Sequence, residues 1–455
     1  MYRTIGFVLL ITLACFSTTM ARWDRTIIGP GGSQMTTLTP GQGRNDGMQR
    51  IYAACFDGHI YEFSDSSGQW YRRDLGLAGA LMTYVNLGKG RSDSLLRVYG
   101  SSNDYSIWEY SYSNPGDYWF RERVGEGGLY MNSVCVGNGR SDTIQHVYGG
   151  CFDGIVYEFT RQGNAWIQTS FPGAPRICDV AAGFGRGDSV MRVYSAGYYG
   201  DLVESTYESL GWTSRTIWSG SGLQSVAVGK GRLMDTLSDQ RDHVYIGAMN
   251  GAVYELVYET GGWITYTLGI GGGGMYSVVV GPGRGDFKSR VYAGGADGKI
   301  YEFSHQGGGW IADTVGSANG HIDGVAVGRM EVDGVYATSY DGRVYGFRHS
   351  PSGVESKEPP ASSVQTLRLT ALPNPFKTRS LINLSLDLEE DVDLAIYALD
   401  GRRIRSLLQD RFSPGARRVI WDGRDDRGIS VGPGLYFLRL RAHGGSLTNR
   451  LLKLK

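Results

Sequence analysis

Hydrophobic and polar positions alternate in short runs along most of the chain, and the runs recur. A Val-Tyr or Ile-Tyr pair begins at Ile51, Val98, Val147, Val193, Val244, Val291 and Val335, at intervals of 47, 49, 46, 51, 47 and 44 residues. After each pair a short turn, usually with Gly or Asp-Gly, leads into a second apolar run, such as Ile60-Tyr61-Glu62-Phe63 or Val156-Tyr157-Glu158-Phe159. Trp70, Trp119, Trp166, Trp212, Trp263 and Trp310 follow these runs, nearly always 19 residues past the Val or Ile. A further run ending in Gly precedes each pair, as in Met275-Tyr276-Ser277-Val278-Val279-Val280-Gly281. Short apolar runs separated by turns predict strands. Four strands in each repeat of about 47 residues predict a β-propeller blade. The seventh repeat, through Tyr345-Gly346-Phe347, has no Trp after it, whereas Trp23 precedes the first. If the segment from Trp23 to Ile28 supplies the outer strand of the last blade, seven blades close into a ring and leave no sheet edge.

The flanks read differently. Met1-Tyr2-Arg3, an apolar run from Ile5 to Cys15 and the small-residue site Thr19-Met20-Ala21 predict a signal peptide over 1–21. Thr12-Leu13-Ala14 lacks Leu where lipoprotein signals carry it, so Cys15 is not read as a lipidation site. The propeller is expected over 22–348, and the Ser-, Pro- and charge-rich stretch 349–366 reads as a linker. Over 367–455 alternation returns at Ile382, Leu384, Leu386 and Leu388, then at Val392, Leu394 and Ile396. Further strands are predicted at 417–421, 435–438 and 451–454, which together suggest a small Ig-like β-sandwich. The fold class is therefore all-β, a seven-bladed β-propeller followed by a small sandwich.

Four ordered motifs lie in that last segment: Pro373-Asn374-Pro375-Phe376, the run from Ile396 to Arg402, Trp421-Asp422-Gly423-Arg424-Asp425, and Gly434-Leu435-Tyr436-Phe437. The segment resembles the C-terminal sorting domain of the bacterial type IX secretion system. It is also similar to the Ig-like domain of flagellar hook-capping proteins, which share the Trp-Asp-Gly-Arg-Asp turn. The resemblance implies outer-membrane secretion machinery as a partner, with Pro373, Asn374, Pro375, Phe376, Trp421, Asp422 and Gly423 as the sorting motifs. It further implies a protein secreted from, or held on the surface of, a Gram-negative-type bacterium.

Composition sharpens the class. Gly makes up 69 of 455 residues, charged residues only 20%, and aromatics 12% with 29 Tyr and 10 Trp. So much Gly and Tyr with so little charge disfavours long helices and disorder. A net charge of zero gives no electrostatic reason to seek nucleic acid or an anionic membrane. Cys55, Cys135, Cys151 and Cys178 follow the signal peptide; Cys55 and Cys151 hold the same place in non-adjacent repeats and cannot meet, so buried free thiols are expected.

Three polar patterns are candidates for chemistry. Gly-x-Gly-Arg-x-Asp recurs at 41–46, 88–93, 137–142, 183–188 and 281–286, and Gly229-Lys230-Gly231-Arg232 keeps its first half. One Asp per loop is too few oxygens for calcium, so an Arg–Asp pair bracing each loop is expected. Arg50/Glu62, Arg97/Glu109, Arg192/Glu204 and Arg290/Glu302 are each 12 residues apart, a spacing repeated by His146/Glu158 and His243/Glu255. This pattern resembles fucose-binding propeller lectins, and the resemblance implies sugar hydroxyls as ligands of these twelve residues. Read as residues alone, they are structural charges between blades. A two-residue Asp-Gly turn would place Arg50 and Glu62 on opposite faces, whereas a bulged three-residue turn would bring them to one. The seventh repeat has Gly334 and Gly346 at these positions. Finally, Phe56, Tyr105, Phe152, Tyr198 and Tyr340 sit at hairpin tips, where exposed aromatics suggest a binding face.

Catalytic patterns are weak. Seven scattered His show no metal-ligand spacing, and no Gly-x-Ser-x-Gly elbow occurs. The expectation is an exported, non-catalytic binding or scaffold protein without metal or cofactor, monomeric, with a protein or glycan ligand. A multivalent lectin and a secreted polysaccharide-active enzyme are the alternatives.

Overall fold

The computed structural model describes residues 22–454, except 67, 92, 115, 233–238, 330–332, 351–367, 373, 387–389, 399–401, 413–414 and 443–444. The expected signal peptide, most of the expected linker and Pro373 lie outside the described residues. The chain divides into two compact units, 1–354 and 355–455.

In the first unit the Val-Tyr pairs lie in strands buried along almost their whole length: Arg50–Cys55, Arg97–Ser102, His146–Cys151, Arg192–Gly197, His243–Ala248, Arg290–Gly295 and Asp333–Ser339. Such strands are covered on both faces, so they read as continuous apolar and small residues rather than as an alternation. Each is second in a four-stranded antiparallel sheet built from consecutive strands; the first sheet runs Met35–Gly41, Arg50–Cys55, His59–Ser66, Gln69–Leu77. The sheet containing Asp333–Ser339 takes its fourth strand from the other end of the unit. There Arg22–Pro30 pairs with Arg343–Ser350, with Trp23 opposite His349 and Ile27 opposite Tyr345. This last strand runs two residues past the boundary expected at 348, because Ser350 pairs with Arg22 and Ser350 Oγ donates to Asp24 at 2.6 Å. Seven such sheets are present among the described residues, and the architecture is that of a β-propeller.

The register shifts once where each innermost strand pairs with the second, for example between Met131 and Ser133 or between Ile177 and Asp179. The side chain at the shift reaches sideways and serves a backbone group of the next sheet. Val85 N donates to Thr37 (2.8 Å), Val180 N to Ser133 (3.0 Å), Val226 N to Asp179 (3.0 Å), Val278 N to Ser225 (3.0 Å) and Val325 N to Ser277 (2.9 Å). Thr83 donates to Met131 O at 2.7 Å, and Thr338 to Thr36 O, which links the last sheet to the first. Burial pushes Asp179 up to about 6, although two serines and two backbone amides donate to it.

The second unit has two sheets. Ser380–Leu386 pairs with both Arg368–Leu372 and Gly415–Trp421, and Glu390–Tyr397 lies between Arg403–Phe412 and Gly434–Ala442, with Gly445–Lys453 outside the latter. Ile382, Leu384 and Trp421 from one sheet share a core with Leu394, Ile396, Leu438 and Leu440 from the other.

Candidate functional site

The turn between second and third strands has three residues, Phe56-Asp57-Gly58 in the first sheet. Gly58 has φ 90° and donates its N–H to Cys55 O at 3.1 Å. Tyr52 then stands opposite Glu62, and Arg50, two residues earlier, lies on the same face. The two charges of each twelve-residue pair are thereby brought together, but only His243 and Glu255 are hydrogen-bonded to each other as main partners, at 2.7 Å. The Arg50 guanidinium donates to Asp46 at 2.8 and 2.7 Å, leaving its Nε 3.8 Å from Glu62. Glu62 is gripped instead by Arg44, whose Nε donates at 2.8 Å while Nη2 completes the fork. The pairing expected inside each Gly-x-Gly-Arg-x-Asp loop is therefore crossed. Asp46 is turned back over its own loop, where it also accepts from Met48 N (3.1 Å), and faces Arg50 rather than Arg44.

The same quartet recurs five times. Arg91 grips Glu109 while Arg97 binds Asp93, and Arg186 grips Glu204 while Arg192 binds Asp188. Arg284 grips Glu302 while Arg290 binds Asp286. With His in place of the second Arg, Arg140 and His146 hold Glu158 and Asp142, whereas Arg232 and His243 both grip Glu255 and Asp239 is held by Arg241. Tyr99, Tyr148, Tyr194 and Tyr245 donate their hydroxyls to these glutamates at 2.8, 3.2, 3.3 and 2.9 Å. All twelve residues of the spaced pairs are buried. Their charged ends are committed inside the protein, so a sugar hydroxyl meets no open carboxylate or guanidinium there.

Each quartet is covered by the following sheet. Arg44, Arg140 and Arg186 lie over the rings of Tyr112, Tyr207 and Tyr258 at 4.5, 4.5 and 4.8 Å, and Arg284 lies 5.8 Å from Trp23. Trp119, Trp212, Trp263 and Trp310 set an edge against Tyr52, Tyr148, Tyr194 and Tyr245. Two of these indoles also donate into the preceding quartet, Trp212 to Glu158 at 3.2 Å and Trp310 to Glu255 at 3.0 Å. Burial raises the Glu158 carboxyl, but hydrogen bonds from Arg140 and Thr169 outweigh it and hold the group below its usual range. The same contest leaves Glu255 at about 2, with His243 and Arg232 as the donors that win. Hydrogen bonds from Arg97 and Arg192 hold Asp93 and Asp188 down. The five gripping arginines of the complete Gly-x-Gly-Arg-x-Asp loops were paired with the wrong carboxylate in the sequence reading. The signal was present, because Arg44, Arg91, Arg140, Arg186 and Arg284 each stand 18 residues before their glutamate.

At the opposite end of the sheets, the hairpin tips are tied to the connectors that enter the innermost strands. Phe152 N donates to Tyr130 O (2.9 Å), Tyr198 N to Arg176 O (2.9 Å) and Tyr340 N to His321 O (3.0 Å). The turn Asp residues are internal braces: Asp57 and Asp153 accept from Tyr61 and Tyr157 at 2.7 and 2.9 Å. The aromatics at the tips face outward. Tyr105, Tyr198 and Tyr340 are 41%, 43% and 56% exposed, whereas Phe56 and Phe152 are partly buried. They belong to two clusters. Tyr105, Tyr130 and Phe152 follow one another at 5.5 and 6.4 Å, and Arg176 bridges Phe152 to Tyr199 at 4.8 and 5.1 Å. In the second cluster His321 lies between Tyr276 and Tyr340, at 5.4 and 4.5 Å. Tyr105 occupies the position held by Gly58, Gly154, Gly200, Gly251, Gly298 and Gly342 in the other turns, at φ 72°. A bulky residue in the left-handed region costs roughly 1–2 kcal/mol.

The four described cysteines are free, and burial pushes Cys151 and Cys178 up to about 11 and 12, away from the reactive thiolate. Among the described residues, no three His, Cys, Asp or Glu side chains converge as metal ligands. In the second unit the motif residues serve the fold. Asn374 Nδ2 donates to Arg450 O (2.6 Å), and Leu452 N donates to Asn374 Oδ1 (2.8 Å); Pro375 follows and Phe376 continues the pairing through Leu452 O (2.9 Å). Trp421 is fully buried between Phe376 and Tyr436, each 5.2 Å away, and its indole donates to Arg424 O at 3.0 Å. Asp422 accepts from Arg424 N at 3.1 Å, across a turn in which Gly423 has φ 70°.

No family model matches the chain, and no curated protein matches it. Among solved structures it is similar to BBS1N, a β-propeller solved in complex with ARL6DN and soaked with lead. The identity is 12% and the TM-score 0.51, over 71% of this chain and 95% of that one. The likeness is one of fold, and with the repeated four-stranded sheets it makes the chain a β-propeller protein.

Proposed function

We propose that the chain is an exported, non-catalytic binding protein. A propeller of seven blades presents an aromatic face to a protein or glycan partner, and an Ig-like C-terminal domain addresses it through the type IX machinery to the bacterial surface. The observation that carries the binding reading is Tyr105. Six sister turns put Gly at that position, and among these seven turns this one alone holds an exposed ring in a strained backbone, beside Tyr130 and Phe152. Strain kept at an exposed position is a mark of a functional site. The twelve Arg, His and Glu residues are assigned to bracing the blades, which leaves the tips as the face available to a ligand.

The full chain is to be screened on a glycan array and on a displayed peptide library, beside the triple variant Tyr105→Gly, Tyr130→Ser, Tyr199→Ser. The expected result is a set of ligands for the parent that the variant binds at least tenfold more weakly. The single change Tyr105→Gly should meanwhile raise stability by about 1 kcal/mol, since Gly adopts positive φ freely. Ligands that survive all three changes, or no ligand on either library, would overturn the reading. The address is tested separately in a host with type IX secretion. Removing 367–455 should leave the propeller folded but inside the outer membrane, and normal surface delivery of the shortened chain would refute the sorting role.

A further inference from the structure

Arg176 is set apart from the arginines of the quartets. It lies in the connector that enters the strand Ile177–Gly183, is exposed, and sits over two rings, 4.8 Å from Phe152 and 5.1 Å from Tyr199. Among the described residues its guanidinium has no hydrogen bond and no carboxylate partner. The turn beside it puts Tyr199 where other turns have Asp57, Asp104, Asp153, Asp297 and Asp341, so that turn offers it no acid. The connectors of the next two sheets carry Gly222 and Gly274 at the Arg176 position. The cation therefore belongs to one side of the tip face, where the rings are.

The groups around it form a ladder, Tyr105, Tyr130, Phe152, Arg176, Tyr199, with neighbours 4.8 to 6.4 Å apart. Its idle polar groups are donors. Among the described residues the exposed hydroxyls of Tyr105, Tyr130 and Tyr199 have no hydrogen-bond partner. The carboxylates of the neighbouring turns are already engaged through both oxygens. Asp104 accepts from Ser106 N at 3.0 Å and from Trp108 Nε1 at 3.2 Å, and Asp153 accepts from Ile155 N and Tyr157 at 2.9 Å. Two of the five groups stand on strained backbone, Tyr105 at φ 72° and Arg176 at φ 50°. Such a patch fits a ligand with apolar rings, many acceptors, few donors and a negative charge. Proline has no N–H, and a polyproline II strand leaves its carbonyls unbonded. A sugar hydroxyl, by contrast, brings a proton that needs an acceptor.

We propose that this patch binds a proline-rich, acidic peptide segment of a partner protein. Proline rings lie on Tyr105, Tyr130 and Phe152, the tyrosine hydroxyls donate to the peptide carbonyls, and a Glu or Asp of the segment pairs with Arg176. The proposal rests on the tips being the binding face and adds the class of ligand. A guanidinium already held between two rings loses little freedom when it takes up a carboxylate. A polyproline II strand rises about 3.1 Å per residue, so a segment of about seven residues spans the ladder.

The test is calorimetric titration of the full chain with acetyl-Pro-Pro-Pro-Glu-Pro-Pro-Pro-amide, with the same peptide carrying Gln for Glu, and with tetragalacturonate as an acidic glycan, each to about 5 mM. The carboxylate is central so that either chain direction can reach Arg176. Saturable binding of the Glu peptide is expected, about fivefold tighter than the Gln peptide, with the glycan at least tenfold weaker. Arg176→Gln should bring the Glu peptide down to the affinity of the Gln peptide, whereas a fold defect would abolish both. Tyr105→Gly should weaken both peptides by the same factor, about fivefold. No binding of the Glu peptide, equal affinity for the two peptides in the parent, a preference for the glycan, or a preference for Glu that survives Arg176→Gln would overturn the proposal. If it falls while another ligand of the parent is lost in the triple variant Tyr105→Gly, Tyr130→Ser, Tyr199→Ser, the aromatic face stands and only its ligand class is wrong.

Discussion

A chain that begins at Gly31 should melt far below one that begins at Arg22, and should scatter light as it unfolds. The strand Arg22–Pro30 makes eight ladder pairings with Arg343–Ser350. It buries Ile28 in the core between the last sheet and the first. Trp23 packs its ring at 5.0 Å from His349 and 5.8 Å from Arg284, so the sixth quartet loses its cover together with the strand. What is left is a bare edge of eight residues with unpaired N–H and C=O groups, a template for joining another chain. Circular dichroism and light scattering of the two chains measure the effect directly. A melting temperature unchanged within about 2 °C would mean that the closing strand is decoration.

Glu158→Ala is the single substitution expected to cost most in the propeller. Glu158 accepts from Arg140, from Thr169 at 2.8 Å, from Trp212 at 3.2 Å and from Tyr148 at 3.2 Å, so one truncation orphans donors on two sheets. Breaking a buried ion pair from one side costs about 3–5 kcal/mol, because the partner charge stays behind uncompensated. Chemical denaturation should show that loss, and a loss below about 1 kcal/mol would place the quartets among ordinary surface pairs. Acid supplies an independent check at Glu255. Its folded-state carboxyl lies at about 2, below its ordinary 4.5. A depressed acid contributes stability that is fully present above pH 4.5 and is lost as the pH falls towards 2. The stability gap between the parent and Glu255→Gln should therefore shrink across that window. A gap that stays constant from pH 7 to 2 would contradict the assignment.

The strand grammar of the first unit was legible because its signals repeat and agree. The Val-Tyr pair marks the doubly buried strand, the Trp marks the outer strand, and Trp23 told which strand closes the last sheet. The pairing of charges was not legible in the same way. Asp46 is nearer in sequence to Arg44 than to Arg50, and only the path of the loop decides which arginine it faces. The turn type stayed open for a related reason. Asp-Gly suits a two-residue turn, but here Asp57 accepts from His59 N at 3.1 Å and Gly58 forms the bulge of a three-residue turn. In the second unit the strand Arg403–Phe412 gave no readable alternation. Its partner Glu390–Tyr397 slips register twice, between Leu394 and Ala395 and between Ile396 and Tyr397, so the period of two is broken along the pair. Asp179 could not be singled out either, because nothing local distinguishes a buried collar carboxylate from an exposed one.

The uneven distribution of quartets bears on how the ring assembles. Six interfaces join neighbours in sequence, and their charge pairs form inside one repeat, over 18 and 4 residues, before the next repeat, about 47 residues on, covers them. The seventh joins the last sheet to the first, with Thr36 and Thr338 separated by 302 positions. Of the seven interfaces it has the highest sequence separation and is the slowest kind to form. At this seam the core is apolar, built from Ile28, Leu38, Phe63 and Val344, and no quartet has to be stripped of water and aligned there. Non-directional contacts tolerate a loose first encounter, whereas a forked ion pair does not. The glycines at 334 and 346 thus spare the final docking step the desolvation barrier that an Arg–Glu pair would impose, and directional contacts are kept for the seams that close early.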